Sequence, residues 1–177
     1  MQSLNRKKVM SVMALSVALF FVVGFIFMRK NPLETDEKVL TINEEGTVSI
    51  GDNYEEIIIN VPNVIIENGE ADKVLVSSSV GDGDVTINNV KSNELTLKGG
   101  GANSIHIIGN SNISSVRLER VDGTLRVYVK EGSFVETVTA YEGSQDIILE
   151  GEFGNFKLES SNIQVDLRSS NIKTFTV

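Results

Sequence analysis

The chain has 177 residues, no cysteine, one histidine (His106), and 24 acidic against 16 basic side chains, a formal net charge of −8. That length suits one ordinary domain, and a hydrophobic fraction of 41% is too high for a disordered chain. The acidic balance argues against nucleic acid as a partner, the missing cysteines exclude disulfides and cysteine-ligated metal, and 6% aromatics without Trp leave no base-stacking platform.

The charge is unevenly placed. No acidic residue precedes Glu34, and the basic residues of the first thirty are Arg6, Lys7, Lys8, Arg29 and Lys30. That leaves 11 of the 16 basic residues and all 24 acidic ones beyond residue 30, a net of −13. Residues 1–8 read as a basic tail. Residues 9–28, VMSVMALSVALFFVVGFIFM, carry no charge. As a helix they span roughly 30 Å, the thickness of a bilayer's hydrocarbon core, and they predict one transmembrane helix. A signal-peptidase site at Ser16-Val17-Ala18 would leave LFFVVGFIF at a new terminus, and the natural end, Ile26-Phe27-Met28, has no small residues. The pattern therefore predicts an uncleaved signal anchor. The Lys/Arg bias places the N-terminus in the cytoplasm and the rest outside the cell membrane.

Residues 29–46 read as a short linker and 47–177 as the folded domain, with residues 39–50 available to cover its N-terminal end. Apolar residues alternate in Ile57-x-Ile59, Val74-x-Val76, Val85-x-Ile87, Leu95-x-Leu97, Val116-x-Leu118, Ile147-x-Leu149 and similar triplets, the period of short strands with one buried face. Turn residues Asn63, Gly83, Asn103, Gly123, Ser144 and Asn162 recur every 18 to 21 positions. An up-and-down antiparallel sheet also places strands about ten residues apart. Here, however, a strand resembles the one some 20 residues on rather than its neighbour. That predicts an all-β, single-stranded parallel β-helix or solenoid of about six ~20-residue coils.

Candidate sites are sparse. Gly81-Asp82-Gly83-Asp84 lacks EF-hand spacing and reads as a corner turn; Gly99-Gly100-Gly101 lacks the Lys-Ser/Thr of a phosphate loop. His106, between Ile105 and Ile107, should point outward. Arg117, Arg120 and Arg126 fall on adjacent coils and suggest a basic patch, with Asp82, Asp84 and Asp122 stacked at corners. Tyr128 should face solvent, and two tyrosines on nearby coils suggest a small carbohydrate platform. Thr174, Phe175, Thr176 and Val177 close the chain in a β-prone run without Pro, Gly or a terminal helix, which predicts an open edge suited to pairing. No catalytic set, cofactor or metal is predicted. The candidate interaction surface is Arg117, Arg126, Tyr128 and Thr174–Val177.

The run GDGDVTINNVKSNELTLKGGGANSIHIIGNSNISSVRLERVDGTLRV, Gly81 to Val127, resembles β-helical repeat modules of surface proteins from Gram-positive bacteria. Those modules share a GDGDVTL-x-NV … GGG-x-NSIH-L signature and are often found beside S-layer-homology modules. The likeness covers about residues 80–150. It implies a right-handed parallel β-helix outside the cell and no activity; this chain has no S-layer-homology modules. Together these readings lead to a membrane-anchored, non-enzymatic cell-envelope protein that associates with itself or with another envelope protein. The alternatives are a module binding cell-wall glycan, a carbohydrate-active enzyme, and a cytoplasmic scaffold similar in outline to bactofilins.

Overall fold

The computed structural model describes residues 38–51, 53–141, 146–159 and 163–177. The expected tail and span, 1–28, lie outside the described residues, among which no helix is long and apolar enough to cross a membrane. The described residues belong to one compact unit that ends at Val177.

Its strands are β1 (Val39–Ile42), β2 (Gly46–Ser49), β3 (Asn53–Ile59), β4 (Val64–Val76), β5 (Val85–Leu97), β6 (His106–Ile108), β7 (Asn112–Leu118), β8 (Thr124–Val129), β9 (Phe134–Ala140), β10 (Asp146–Leu158) and β11 (Val165–Thr176), with one 3-10 turn at Ser78–Val80. They form a single 11-stranded sheet in which every pairing is parallel. Neighbours along the sheet are one coil apart in sequence, so the unit is a parallel β-solenoid of about six coils. At about 4.8 Å per coil the stack is roughly 30 Å long. The antiparallel alternative is excluded by the pairing directions.

Each coil has two arms. The first arm is built from β2, the first halves of β4, β5, β10 and β11, and β6 and β8; the second from β1, β3, β7, β9 and the remaining halves. The chain bends between arms at a residue of positive φ: Asn68 (57°), Asn89 (54°), Asn110 (67°), Gly132 (90°), Gly151 (114°) and Ser169 (46°). The left-handed conformation costs an ordinary L-residue roughly 1–2 kcal/mol and is most accessible to Gly and Asn. The corner asparagines also stack, with Asn89 Nδ2 donating to Asn68 Oδ1 at 2.9 Å.

Inward positions from both arms close a continuous apolar core. On the second arm Ile57, Val74, Leu95, Val116, Val138 and Phe156 follow one another in register, and all are fully buried. On the first, Ile66, Ile87 and Ile107 do the same. Each such side chain contributes about 1.5–3 kcal/mol through burial, and each is covered by the coils above and below. Alternation inward and outward is therefore what the parallel stack demands of the sequence.

Two expectations are revised. The interval varies somewhat more than the 18 to 21 positions between turn residues: register offsets run from 17 residues (Ile57 to Val74) to 22 (Leu125 to Ile147). Length differences are taken up at the corner and in the return segments joining the second arm to the next coil, where Asn63, Gly83, Asn103 and Gly123 lie; Ser144 and Asn162 are outside the described residues. Second, residues 39–42, read as linker, form β1 and pair with β3, while β2 pairs with β4. The N-terminal end is consequently stepped, the second arm carrying one strand more than the first.

Candidate interaction surfaces

On the outward side of the first arm, Thr47, Ile65, Thr86, His106, Tyr128, Glu150 and Arg168 form one ladder. The His106 and Tyr128 rings meet edge to face at 5.9 Å. His106 Nε2 lies 2.8 Å from the Asn103 carbonyl oxygen, an arrangement that protonates that nitrogen. The Arg126 guanidinium sits 5.3 Å from the Tyr128 ring centroid, and its Nη2 donates to Glu150 at 2.5 Å, while Nε is buried without a partner. Parallel register places these groups side by side, giving an aromatic edge, a phenol and an ion pair on one half-exposed strip.

Arg117 belongs to the second arm. It donates to Glu119 from Nε (3.0 Å) and Nη2 (2.7 Å) and to the Tyr141 hydroxyl from Nη1 (2.8 Å), and its guanidinium lies 4.4 Å from the Tyr141 ring centroid. The bond to Glu119, partly offset by burial, holds its proton more tightly than usual. Lys98 adds a second cation 3.7 Å from Glu119.

The expected basic patch does not form. Arg117 and Arg126 lie on different arms, and Arg120, only 7% exposed, lies in a return segment. Arg120 Nη1 donates to the Gly81 carbonyl at 3.0 Å, Nη2 to Asp82 at 2.6 Å, and Nε to the Asp122 carbonyl. It therefore ties the 119–123 return to the 77–84 return, and Asp82 and Asp122 flank it as counter-charges. Nor do the tyrosines make a platform: Tyr128 and Tyr141 are on separate arms, and Tyr54 packs beside Lys38. Gly99 and Gly101 serve close backbone approach, since a Cβ at either would overlap the Ser77 or Asp82 carbonyl oxygen.

Thr174, Phe175 and Thr176 lie in β11, in register with Asn155, Phe156 and Lys157 of β10. β11 pairs with β10 along both arms, and among the described residues no strand pairs with its other edge. Its side chains at inward register positions are only partly covered: Leu167 is 47% and Phe175 48% exposed, and Val177 beyond it 85%. Asp166 and Arg168 form an ion pair at 2.7 Å. The site residues chosen from sequence thus separate into three places: Arg126 with Tyr128, Arg117 with Tyr141, and the β11 edge.

Sequence reasoning missed the structural use of Arg120 and the involvement of His106, Glu150 and Tyr141. The corner asparagines Asn68, Asn89 and Asn110 carried a signal, a 21-residue spacing in phase with the strands. No family model, curated protein or solved structure matches the chain.

Proposed function

We propose that the chain is a single-pass bacterial cell-envelope protein whose solenoid lies outside the membrane as a stiff, acidic interaction module, with the N-terminus in the cytoplasm. The reading is supported by charge-free residues 9–28 between basic clusters, and by a core of stacked ladders that resists bending because each coil is buried by its neighbours. The observation that carries the interaction role is β11: a strand edge with half-exposed Leu167 and Phe175 is the substrate for β-augmentation by another chain. The role assigned is binding, and no reaction is assigned.

The test combines topology with association. A reporter fused after Val177 should report an extracytoplasmic location, and the full chain purified from membranes should sediment as more than a monomer or bring an envelope protein with it. A cytoplasmic reporter signal, or a strict monomer without a co-purifying protein, would overturn the reading.

A second reading, wall-glycan binding, is favoured by the Arg126–Tyr128–His106–Glu150 strip, since sugars are held by aromatic faces beside charged hydrogen-bonding groups. It expects peptidoglycan or teichoic-type polymer to sediment the protein, and Tyr128→Ala or Arg126→Ala to weaken that; unchanged sedimentation in both variants would dismiss it.

A further inference from the structure

We propose that β11 is a self-complementary docking edge. Two copies meet tail to tail across a two-fold axis at the Ser169–Ser170 corner, the first half of each β11 running antiparallel to the second half of the other. This deepens the interaction reading above and rests on it, naming the partner as a second copy of this chain.

The two ends of the stack are unlike, and that decides the geometry. At the N-terminal end β1 already pairs with β3 on the second arm, while on the first arm β2 has only β4 beside it. A head-to-tail addition that brought the first half of β11 onto β2 would drive its second half into the place β1 occupies. At the other end a single strand, β11, covers both arms and pairs with β10 along each. That end is flush, so a surface identical to itself can meet it without a step.

The side chains are symmetric about the corner. Ser169, at φ 46°, and Ser170 mark the bend. Leu167 and Ile172 stand two residues out on either side of that pair, and Asp166 and Lys173 three residues out. A two-fold axis between Ser169 and Ser170 therefore sets Leu167 against Ile172 of the second copy and Asp166 against its Lys173, with both pairs repeated by symmetry. Apolar meets apolar and carboxylate meets ammonium, which is the requirement for an isologous interface. Phe175 already rests against Phe156 at 5.1 Å on its own side, and its exposed portion lies on the side a second copy would cover. The strand contains no Pro, one of the residues that defend an edge against pairing, and its edge charge Lys173 is met by Asp166 of the second copy in this arrangement.

The chain contains no cysteine, so single cysteines report the geometry without background. The full chain in detergent micelles is expected to be dimeric by light scattering. Ser170→Cys should form a disulfide-linked dimer under mild oxidation, and Thr47→Cys, on the stepped end, should not. Asp166→Lys should weaken the dimer at least about tenfold, and Asp166→Lys combined with Lys173→Asp should restore it. A dimer that cross-links through Thr47→Cys, or that ignores the charge swap, overturns the tail-to-tail geometry while leaving association through solenoid edges standing. A monomer at all concentrations overturns the self-pairing; an envelope protein recovered with that monomer would keep the wider interaction reading.

Discussion

Phe175 and Phe156 are stacked 5.1 Å apart with their planes inclined by 33°, yet Phe156 is fully buried and Phe175 is 48% exposed. They hold equivalent positions in successive coils, so the pair compares a side chain covered by a further coil with one that no described strand covers. Phe156→Ala should cost about 3–5 kcal/mol, the transfer term plus a cavity that its neighbours cannot fill. Phe175→Ala should cost about 1 kcal/mol, since half its surface already meets water. Urea unfolding of both variants tests the contrast; equal losses would mean that the last coil is covered in solution.

Gly151 occupies the bend of β10 at φ +114°, where a Cβ would overlap the Val129 carbonyl oxygen of the coil beneath. Gly81, at φ +59°, has open space around the same position. Gly151→Ala should therefore destabilise by about 3 kcal/mol or more, combining backbone strain with a steric clash. Gly81→Ala should pay the backbone term alone, about 1–3 kcal/mol, because φ 59° with ψ −130° lies outside the left-handed helical well and suits glycine. Thermal melting of the two variants separates these contributions.

Arg120 is the one buried cation in the described core, and it satisfies two carbonyl oxygens from separate return segments. Arg120→Met should cost about 1–2 kcal/mol, since the Asp122 carbonyl loses its donor while the Gly81 carbonyl still accepts from the Gly100 N–H, less than an uncompensated buried charge would, because Asp82 and Asp122 remain hydrated. Lysine should not restore the loss, since one ammonium lacks the fork that reaches all three acceptors. The expected signature is faster amide exchange within 77–84 and 119–123 while the arms stay protected.

Lys91 is held above its usual pKa chiefly by its hydrogen bond to Glu70 and then by that carboxylate's charge; Lys157 is raised in the same way by Glu159. A raised lysine pKa stabilises the fold fully below the unfolded value, about 10.4, and that contribution fades as pH climbs through the folded value. Wild type and Lys91→Gln should therefore differ slightly and by a constant amount up to about pH 10, and converge only as pH passes the raised folded value. Melting temperatures recorded from pH 7 to 11 provide the check, and a gap that widened with pH would contradict the assignment.

Much of this architecture was legible because period-two alternation has one cause, a strand with one dry face, and because likeness every second strand has one economical explanation, parallel stacking. Ile57, Val74 and Leu95 could be placed inward from sequence alone. The arms could not be told apart, and that is why Arg117 and Arg126 were grouped: they stand nine positions apart in sequence, but a return segment intervenes and turns them onto different arms. Burial of Arg120 ran against composition, since a charged residue after Glu119 reads as solvated unless the facing carbonyls are known. The spread of coil lengths was read too narrowly, as 18 to 21, because turn residues were counted while the corner asparagines were not.

The return segments vary where the arms do not: four residues join β3 to β4, and eight join β4 to β5. A register-locked ladder tolerates no added residue along an arm, whereas a chain crossing from one coil to the next can lengthen and put the surplus to use. Segment 77–84 does so: it sends Val80 into the dry interior and offers the Gly81 carbonyl to both Gly100 and Arg120, so a longer crossing becomes a clasp that fastens three consecutive turns of the winding.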